Sequence, residues 1–319
     1  MDTMFLVTGG AGFIGSHLID RLLDKGHDVV SLDDFNDFYD PAIKRANVRS
    51  HLQHARYRLI EADIRNTECL SKVFSDYSVE KVVHLAARAG VRPSLKHPLL
   101  YEDVNIKATM YLLELARRHG VKQFVFASSS SVYGANTKVP FSEDDRIDRT
   151  VSPYAATKYA GELMCHTYHH LYGIPTTCLR FFTVYGPRQR PEMAIHKFTR
   201  AIYEGKPIPF FGDGSTARDY TYINDIIQGV LAAIDRPFPF EVFNLGESST
   251  VTLKQLVELL EEVSGRKALI DYLPSQPGDV EITYADVSKA KTLLGYRPST
   301  SIREGLAKFI EWFSRELRG

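Results

Sequence analysis

Cysteine is scarce in this sequence: Cys69, Cys165 and Cys178 are the only three, and no two of them stand at CxxC spacing. An odd, scattered set excludes a disulfide scaffold and reads as buried or incidental thiols in a reducing cytoplasm. An excess of charge is missing too, because 39 Lys and Arg face 39 Asp and Glu. A neutral chain has no overall pull toward nucleic acid or an anionic membrane, which leaves only local basic pockets. No apolar run approaches the ~20 residues that cross a bilayer. The opening MDTMFLVTGG enters a strand and a glycine loop at once, without space for a signal peptide. His166, His169 and His170 lack a carboxylate or thiol at metal-ligand spacing, so no metal is expected. There is no internal repeat. What remains is a 319-residue chain with 44% hydrophobic and 24% charged residues, enough for about two domains and an enzyme-sized core.

Short apolar runs at 4–8, 27–32, 57–61, 81–86 and 123–127 alternate with amphipathic stretches. In one of these, 106–119, Ala108, Tyr111, Leu112 and Leu115 recur at helical spacing. Strand and helix in alternation predict an α/β fold with a parallel sheet covered on both faces, which binds its ligand beyond the carboxyl ends of the strands. After residue 180 the texture changes. Stretches 185–191 and 205–214, rich in Gly, Pro and charge, read as loops of a second, smaller unit. The chain closes on an amphipathic helix over 301–317, with Leu306, Phe309, Ile310 and Phe313 on one face.

The first strand runs into Thr8-Gly9-Gly10-Ala11-Gly12-Phe13-Ile14-Gly15 and then a helical pattern. Glycines at 9, 12 and 15 permit a tight turn, a close backbone approach to a pyrophosphate and close helix packing. The helix start then offers free N–H groups to phosphate. Asp33 ends the second strand, where a carboxylate accepts hydrogen bonds from an adenosine ribose and repels a 2′-phosphate, favouring NAD over NADP. Tyr154 and Lys158 stand at i, i+4, on one helical face. An ammonium near the phenol would favour the phenolate and make Tyr154 a usable base. Ser129, in the serine run 128–131 that ends the fifth strand, could share a substrate hydrogen bond with it.

Together these residues resemble the extended short-chain dehydrogenase/reductase family. The matching stretches are TGGAGFIG (8–15), Asp33, Asp63-Ile64, HLAA (84–87), Asn105, SSSSVYG (128–134), YAATK (154–158), RDYTYINDI (218–226) and GDVEITYADVSKA (278–290). The resemblance implies a Rossmann-type doubly wound sheet: an NAD-binding domain over 1–182 plus about 219–246, and a nucleotide-sugar domain over 183–218 and 247–319. It implies that Gly9, Gly12, Phe13, Ile14, Gly15 and Asp33 hold NAD. Asp63 and Ile64 would flank its adenine, and Leu85, Ala86 and Ala87 its middle. Asn105 would support the helix carrying Lys158, while Arg218 and Tyr220 would meet the nucleotide diphosphate. Helices near 106–119 and 155–172 would form a homodimer interface.

Dehydratases and decarboxylases of sugar nucleotides usually place an acid within the segment that reads SSSSVYG here, where only hydroxyls stand from 128 to 131. The chain therefore resembles 4-epimerases. The likeness is greatest to those of UDP-glucuronate, through DDFNDFYDPAIKRANV (33–48), HLAARAGVRPS (84–94), RFFTVYGPRQRPEMA (180–194) and QPGDV (276–280). Ser130, Ser131 and Thr183 offer hydroxyls to a uronate carboxylate, and Arg88, Arg92, Arg188 and Arg190 lie in loops expected to face the pocket. Three alternatives stay open: a UDP-glucose or UDP-N-acetylglucosamine 4-epimerase, a net oxidoreductase with exchangeable NAD(H), and a non-catalytic NAD-sensing protein. The last would not need Tyr154, Lys158 and the serines together.

Overall fold

Strands buried on both faces read as unbroken apolar runs, and the first one does. β1 (Met4–Thr8) buries its last four residues. The computed structural model describes residues 3–274 and 280–316. β1 lies within a seven-stranded sheet with β2 (Asp28–Asp33), β3 (Tyr57–Glu61), β4 (Lys81–His84), β5 (Gln123–Ser129), β6 (Thr176–Phe181) and the strand Phe240–Leu245. The spatial order is Phe240–Leu245, β6, β5, β4, β1, β2, β3, and each neighbouring pair is parallel. Alternate side chains enter opposite cores: Phe5, Val7, Val83 and Val125 join one cluster, Leu6, Val82, Phe124 and Phe126 the other. The order turns back between β1 and β4, so a crevice opens beyond their carboxyl ends.

Two helices position the chemistry. α1 (Phe13–Asp24) follows the glycine loop, with Gly12 at its N-cap and no side-chain cap bond. The helix Pro153–Tyr172 begins on Ser152, whose hydroxyl accepts the Ala155 N–H, and ends at Gly173, left-handed with φ 69°. The pattern expected to start at 106 runs instead through a π-helical turn, Asp103–Lys107, into the helix Ala108–Arg118.

Two sequence expectations shift. β5 continues through Ser128 and Ser129, which pair with Arg180 and Phe181 of β6. Ladder pairing therefore overrides the turn preference of serine. The stretch 205–214, expected as loop, contains the strand Pro207–Phe211, paired with Leu269–Leu273. Ile208 and Phe210 are buried from it at a period of two, which the prolines had masked, and an edge position tolerates those prolines. β7 (Thr183–Tyr185) pairs with Tyr220–Tyr222, away from the main sheet. The QPGDV stretch, apart from Val280, lies outside the described residues.

Candidate active site

A cavity of about 390 Å³ runs along the carboxyl ends of the strands. Gly9, Gly12, Phe13, Ile14, Gly15, Asp33, Asp63, Ile64, Leu85, Ala86 and Ala87 line one part of it. Arg88, Ser129, Ser130, Ser131, Tyr154, Lys158, Thr183 and Arg190 line the rest. Three predicted site residues do not: Asn105, Arg218 and Tyr220. Tyr220 is buried with its ring edge-on to Tyr185, and Arg218 Nη1 donates to the Ala217 carbonyl at 2.9 Å.

The glycine loop is a cradle that side chains would fill. Gly9 has φ 71°, and a Cβ there would lie 2.7 Å from the Ala86 nitrogen. A Cβ at Gly15 would sit 2.3 Å from the Gly9 carbonyl oxygen, so the helix could not approach the loop. Gly10, absent from the sequence argument, is tighter still, with its Cβ position 2.0 Å from Ser31 Oγ. Asp33 is buried at the rim, where Oδ2 accepts the Ala11 N–H at 3.1 Å and Oδ1 the Phe35 N–H at 3.0 Å. Burial pushes its carboxyl above the ordinary range, against the charge of Lys44, whose Nζ stands 3.6 Å away. Lys44 lines the cavity too, and sequence reasoning assigned it no role. Open glycine backbone, an uncapped helix start and an acid beyond them suit a dinucleotide: two phosphates on the N–H groups and a ribose on Asp33.

Beneath the loop, His84 joins β1 to the helix Ala108–Arg118. Its Nδ1 accepts from Thr8 Oγ1 at 2.7 Å, and its Nε2 donates to Thr109 Oγ1 at 2.9 Å. The roles follow because Thr109 gives its own proton to the Asn105 carbonyl at 2.8 Å. The Asn105 amide donates at 3.0 Å to both the Arg88 carbonyl and Thr157 Oγ1, and so reaches the Tyr154 helix from behind the cavity. Burial, then the charge of Lys158, holds His84 neutral with a pKa of about 3. Unfolded, it would take a proton below ~6.5. The unfolded state therefore binds more protons between these values, and acidification removes stability. From pH 7 to pH 5 this one group should contribute a loss of about 2 kcal/mol, and His84→Asn should flatten the slope by that amount in urea titrations. Parallel stability curves for the two proteins would contradict it.

Tyr154 is half-buried in the cavity wall, and burial raises its phenol above the usual value, opposed by a hydrogen bond with Ser129 and by the charge of Arg190. Lys158 is buried, and burial lowers its ammonium to about 8. Its Nζ donates to the Ala127 carbonyl at 2.7 Å. The ammonium expected to depress the phenol is thus turned to the end of β5, and Arg190 is the cation that acts on Tyr154. Helical spacing places two side chains on one face but does not choose their partners. Ser129 Oγ accepts the Ser131 N–H at 3.1 Å.

Of the four arginines expected at the pocket, Arg88 and Arg190 line it. Arg92 lies 5.5 Å from the centre of the Phe211 ring, and Arg188 pairs with Asp20 at 2.8 Å. Arg65 takes the carboxylate of Asp63 at 2.7 Å. Ser128 lines the cavity too, but its hydroxyl donates to Glu162, which Arg180 holds through two bonds at 2.9 and 2.8 Å.

A family model described as GDP-mannose 4,6 dehydratase matches residues 6–309. The chain belongs to this family. It is therefore an extended short-chain dehydrogenase/reductase, with the doubly wound α/β fold of that group. It is 46% identical over 309 residues to a UDP-glucuronate 4-epimerase of Thermodesulfobacterium geofontis, covering 97% of this chain and 95% of that one. Its structure is similar to that of a Bacillus cereus UDP-glucuronic acid 4-epimerase in complex with UDP-glucuronic acid and NAD. The TM-score is 0.93 at 41% identity, over 98% of this chain and all of that one. A Thermotoga maritima UDP-glucose 4-epimerase with UDP-glucose is also similar, with TM-score 0.91 at 36% identity over 99% of this chain and 100% of that one.

The charge of this cavity is divided between its two ends. Its lining carboxylates are Asp33, Asp34 and Asp63, at the ends of β2 and β3, while hydroxyls and arginines surround Tyr154.

Proposed function

We propose that this chain is an NAD-dependent UDP-sugar 4-epimerase that interconverts UDP-glucuronate and UDP-galacturonate through a transient 4-keto sugar. The observation that carries the reading is the single cavity in which a dinucleotide cradle meets Tyr154, Ser129 and a cluster of hydroxyls and arginine, with no carboxylate among the described residues lining that end. The relatives named above act on this substrate or on close UDP-hexoses, which supports it.

The cradle residues Gly9, Gly12, Phe13, Ile14 and Gly15 would hold the cofactor phosphates, with Asp33 on the adenosine ribose. Asp63 and Ile64 would lie at the adenine, and Leu85, Ala86 and Ala87 at the middle. Bound NAD supplies a reversible hydride acceptor for sugar C4, so no net redox occurs. Tyr154 takes the proton of the 4-hydroxyl and returns it. Ser129 holds the reacting oxygen, and Lys158 grips the nicotinamide ribose. Ser130, Ser131, Thr183 and Arg190 bind the uronate, Arg88 adds charge, and Arg218 and Tyr220 serve the nucleotide. The 4-keto uronate is a β-keto acid prone to losing CO₂; a carboxylate fixed by hydroxyls, at an end of the cavity that no acid among the described residues lines, keeps it. Phe240–Leu245 in the main sheet favours the domain division, 1–182 plus about 219–246 against the remainder, and the small pairing of β7 with Tyr220–Tyr222 ties the two units together.

Exposed Leu95, Leu99, Met110 and Leu163, on mutually packed helices, favour a homodimer through that face. Three free cysteines favour a cytoplasmic location. No described helix is long and apolar enough to cross a membrane.

Purified protein incubated with UDP-glucuronate, UDP-glucose and UDP-N-acetylglucosamine, followed by sugar analysis, tests the substrate; a heat-denatured extract should release NAD. The nearly isosteric Thr183→Val should lower kcat/KM for UDP-glucuronate about tenfold, since a hydrogen bond to a charged group is worth ~1.5–3 kcal/mol. Some decarboxylated pentose should accompany the loss. Equal losses on acidic and neutral sugars, without pentose, would favour a UDP-hexose epimerase, the reading to which the Thermotoga likeness points.

A further inference from the structure

The strap 186–193 leaves β7 and carries Arg190 and Met193 to the cavity. Within it the backbone makes only turn bonds, such as Gln189 N–H to the Gly186 carbonyl at 3.1 Å and Met193 N–H to the Arg190 carbonyl at 3.2 Å. From the far side, His196 Nδ1 bonds the Gln189 carbonyl at 2.6 Å. Two ties to the opposite wall come from α1. His17 Nε2 donates to the Pro187 carbonyl at 2.9 Å, and Arg188 Nη1 donates to Asp20 Oδ2 at 2.8 Å. The other oxygen of Asp20 takes His51 Nε2 at 2.5 Å. Burial opposes the charge on Asp20, but the bonds from His51 and Arg188 outweigh it and keep the carboxyl below its ordinary range. His17 and Asp20 are three residues apart, hence on one face of the helix whose first turn closes the glycine cradle.

The backbone between these ties is unusual. Arg188 has φ 64°, in the left-handed region that a long side chain enters only where its surroundings hold it. This turn sends Arg188 outward to α1 while Arg190, two residues later, points into the cavity. There Arg190 bonds Glu192 at 2.9 Å and lies 5.9 Å from the centre of the Phe38 ring. One helix thus touches both the cofactor cradle and the strap that delivers the arginine acting on Tyr154.

We propose that Asp20 and Arg188 are a positioning pair, clamping the strap to α1 so that Arg190 is aimed at the acidic end of the sugar. This rests on the UDP-glucuronate reading above. Neither residue lines the cavity, so the pair acts through Arg190. Releasing the strap leaves the charge in place but unaimed, which weakens substrate binding more than it slows the chemistry.

The test is a double-mutant cycle on the full-length protein with its resident cofactor. Arg188→Gly removes the ion pair while tolerating the left-handed backbone, and Asp20→Ala removes it from the helix side. Each should raise KM for UDP-glucuronate roughly tenfold with kcat within about threefold of wild type. Arg188→Lys, which keeps a cation opposite Asp20, should restore most of the affinity. Arg190→Ala should raise KM by itself, and adding Asp20→Ala to it should change KM no further. Additive losses, or a drop in kcat and melting temperature with KM unmoved, would make the clamp ordinary scaffold. If wild type ignores UDP-glucuronate but turns over a neutral UDP-hexose, the substrate reading fails by itself. The cycle is then run on that hexose, where additivity again overturns the clamp and non-additivity upholds it. A wild type idle on every UDP-sugar overturns both.

Discussion

Tyr154→Phe should cut turnover by ~10²-fold or more while leaving the fold and NAD content intact. The ring would keep its place, because it packs edge-on against Tyr101 with centroids 6.2 Å apart, a contact that the hydroxyl does not make. What disappears is the one titratable oxygen at this end of the cavity that hydrogen-bonds Ser129. Proton transfer by a positioned side chain contributes typically 10²–10⁴-fold, which sets the expected scale. The raised phenol of the free enzyme adds a condition. Burial must be offset before Tyr154 can act as a base near neutrality, and Arg190 is the cation already opposing it. Arg190→Ala should therefore move the acid limb of the kcat/KM profile, where the base becomes protonated, upward in pH as well as weaken binding. Near-normal turnover by Tyr154→Phe would remove the tyrosine from the mechanism altogether.

Breaking the ion pair between Glu162 and Arg180 should produce the largest loss of stability. Both side chains are about 4% exposed, so neither charge has water to fall back on. Arg180 gives Glu162 two bonds and donates a third to the Tyr133 hydroxyl at 3.0 Å; Tyr133 in turn bonds Asn244 at 2.7 Å. Removing one partner strands a buried charge, a loss measured elsewhere at ~3–5 kcal/mol. Arg180→Met should fall in that range by urea denaturation. Replacing both, as Arg180→Met with Glu162→Leu, should recover much of it, since a buried pair is often matched by apolar residues of similar volume. The double variant should still be the poorer enzyme, because Ser128, next to Ser129, loses its hydroxyl partner at Glu162. A double variant less stable than Arg180→Met would show that the pair is favourable in itself.

The local chemistry was legible in advance wherever its causes lie within a few residues. β1 and β3 run over the residues their apolar patterns indicated, and the glycine loop opens a helix as its spacing required. The Tyr154 helix carries both Tyr154 and Lys158, as their i, i+4 spacing indicated, and its Ser152 cap and proline first turn were local signals left unread. Where pairing with a distant strand decided the outcome, the reading shifted. The serines at 128 and 129 became strand because β6 lies beside them, and 207–211 became strand because 269–273 does.

The site divides along the same line. Glycines 9, 12 and 15, Asp33, Tyr154, Lys158 and the serine run are identifiable because each chemistry needs a particular residue type at a particular local spacing. Which charge meets which was not. Four loop arginines look alike in the sequence, yet two line the cavity, one stacks on Phe211, and Arg188 pairs with Asp20, 168 residues away. Lys158, one turn from Tyr154, spends its ammonium on the Ala127 carbonyl, while Arg190 supplies the charge that the phenol feels. The sequence by itself determined the sheet, the cradle and the inventory of reactive groups, because turns, caps and periodicity are set by neighbours along the chain. Only the tertiary structure decided the partners of the buried and half-buried charges. Electrostatic energy depends on distance and burial in space, and two residues of separation along a strap can place one arginine in the cavity and the other on the opposite face.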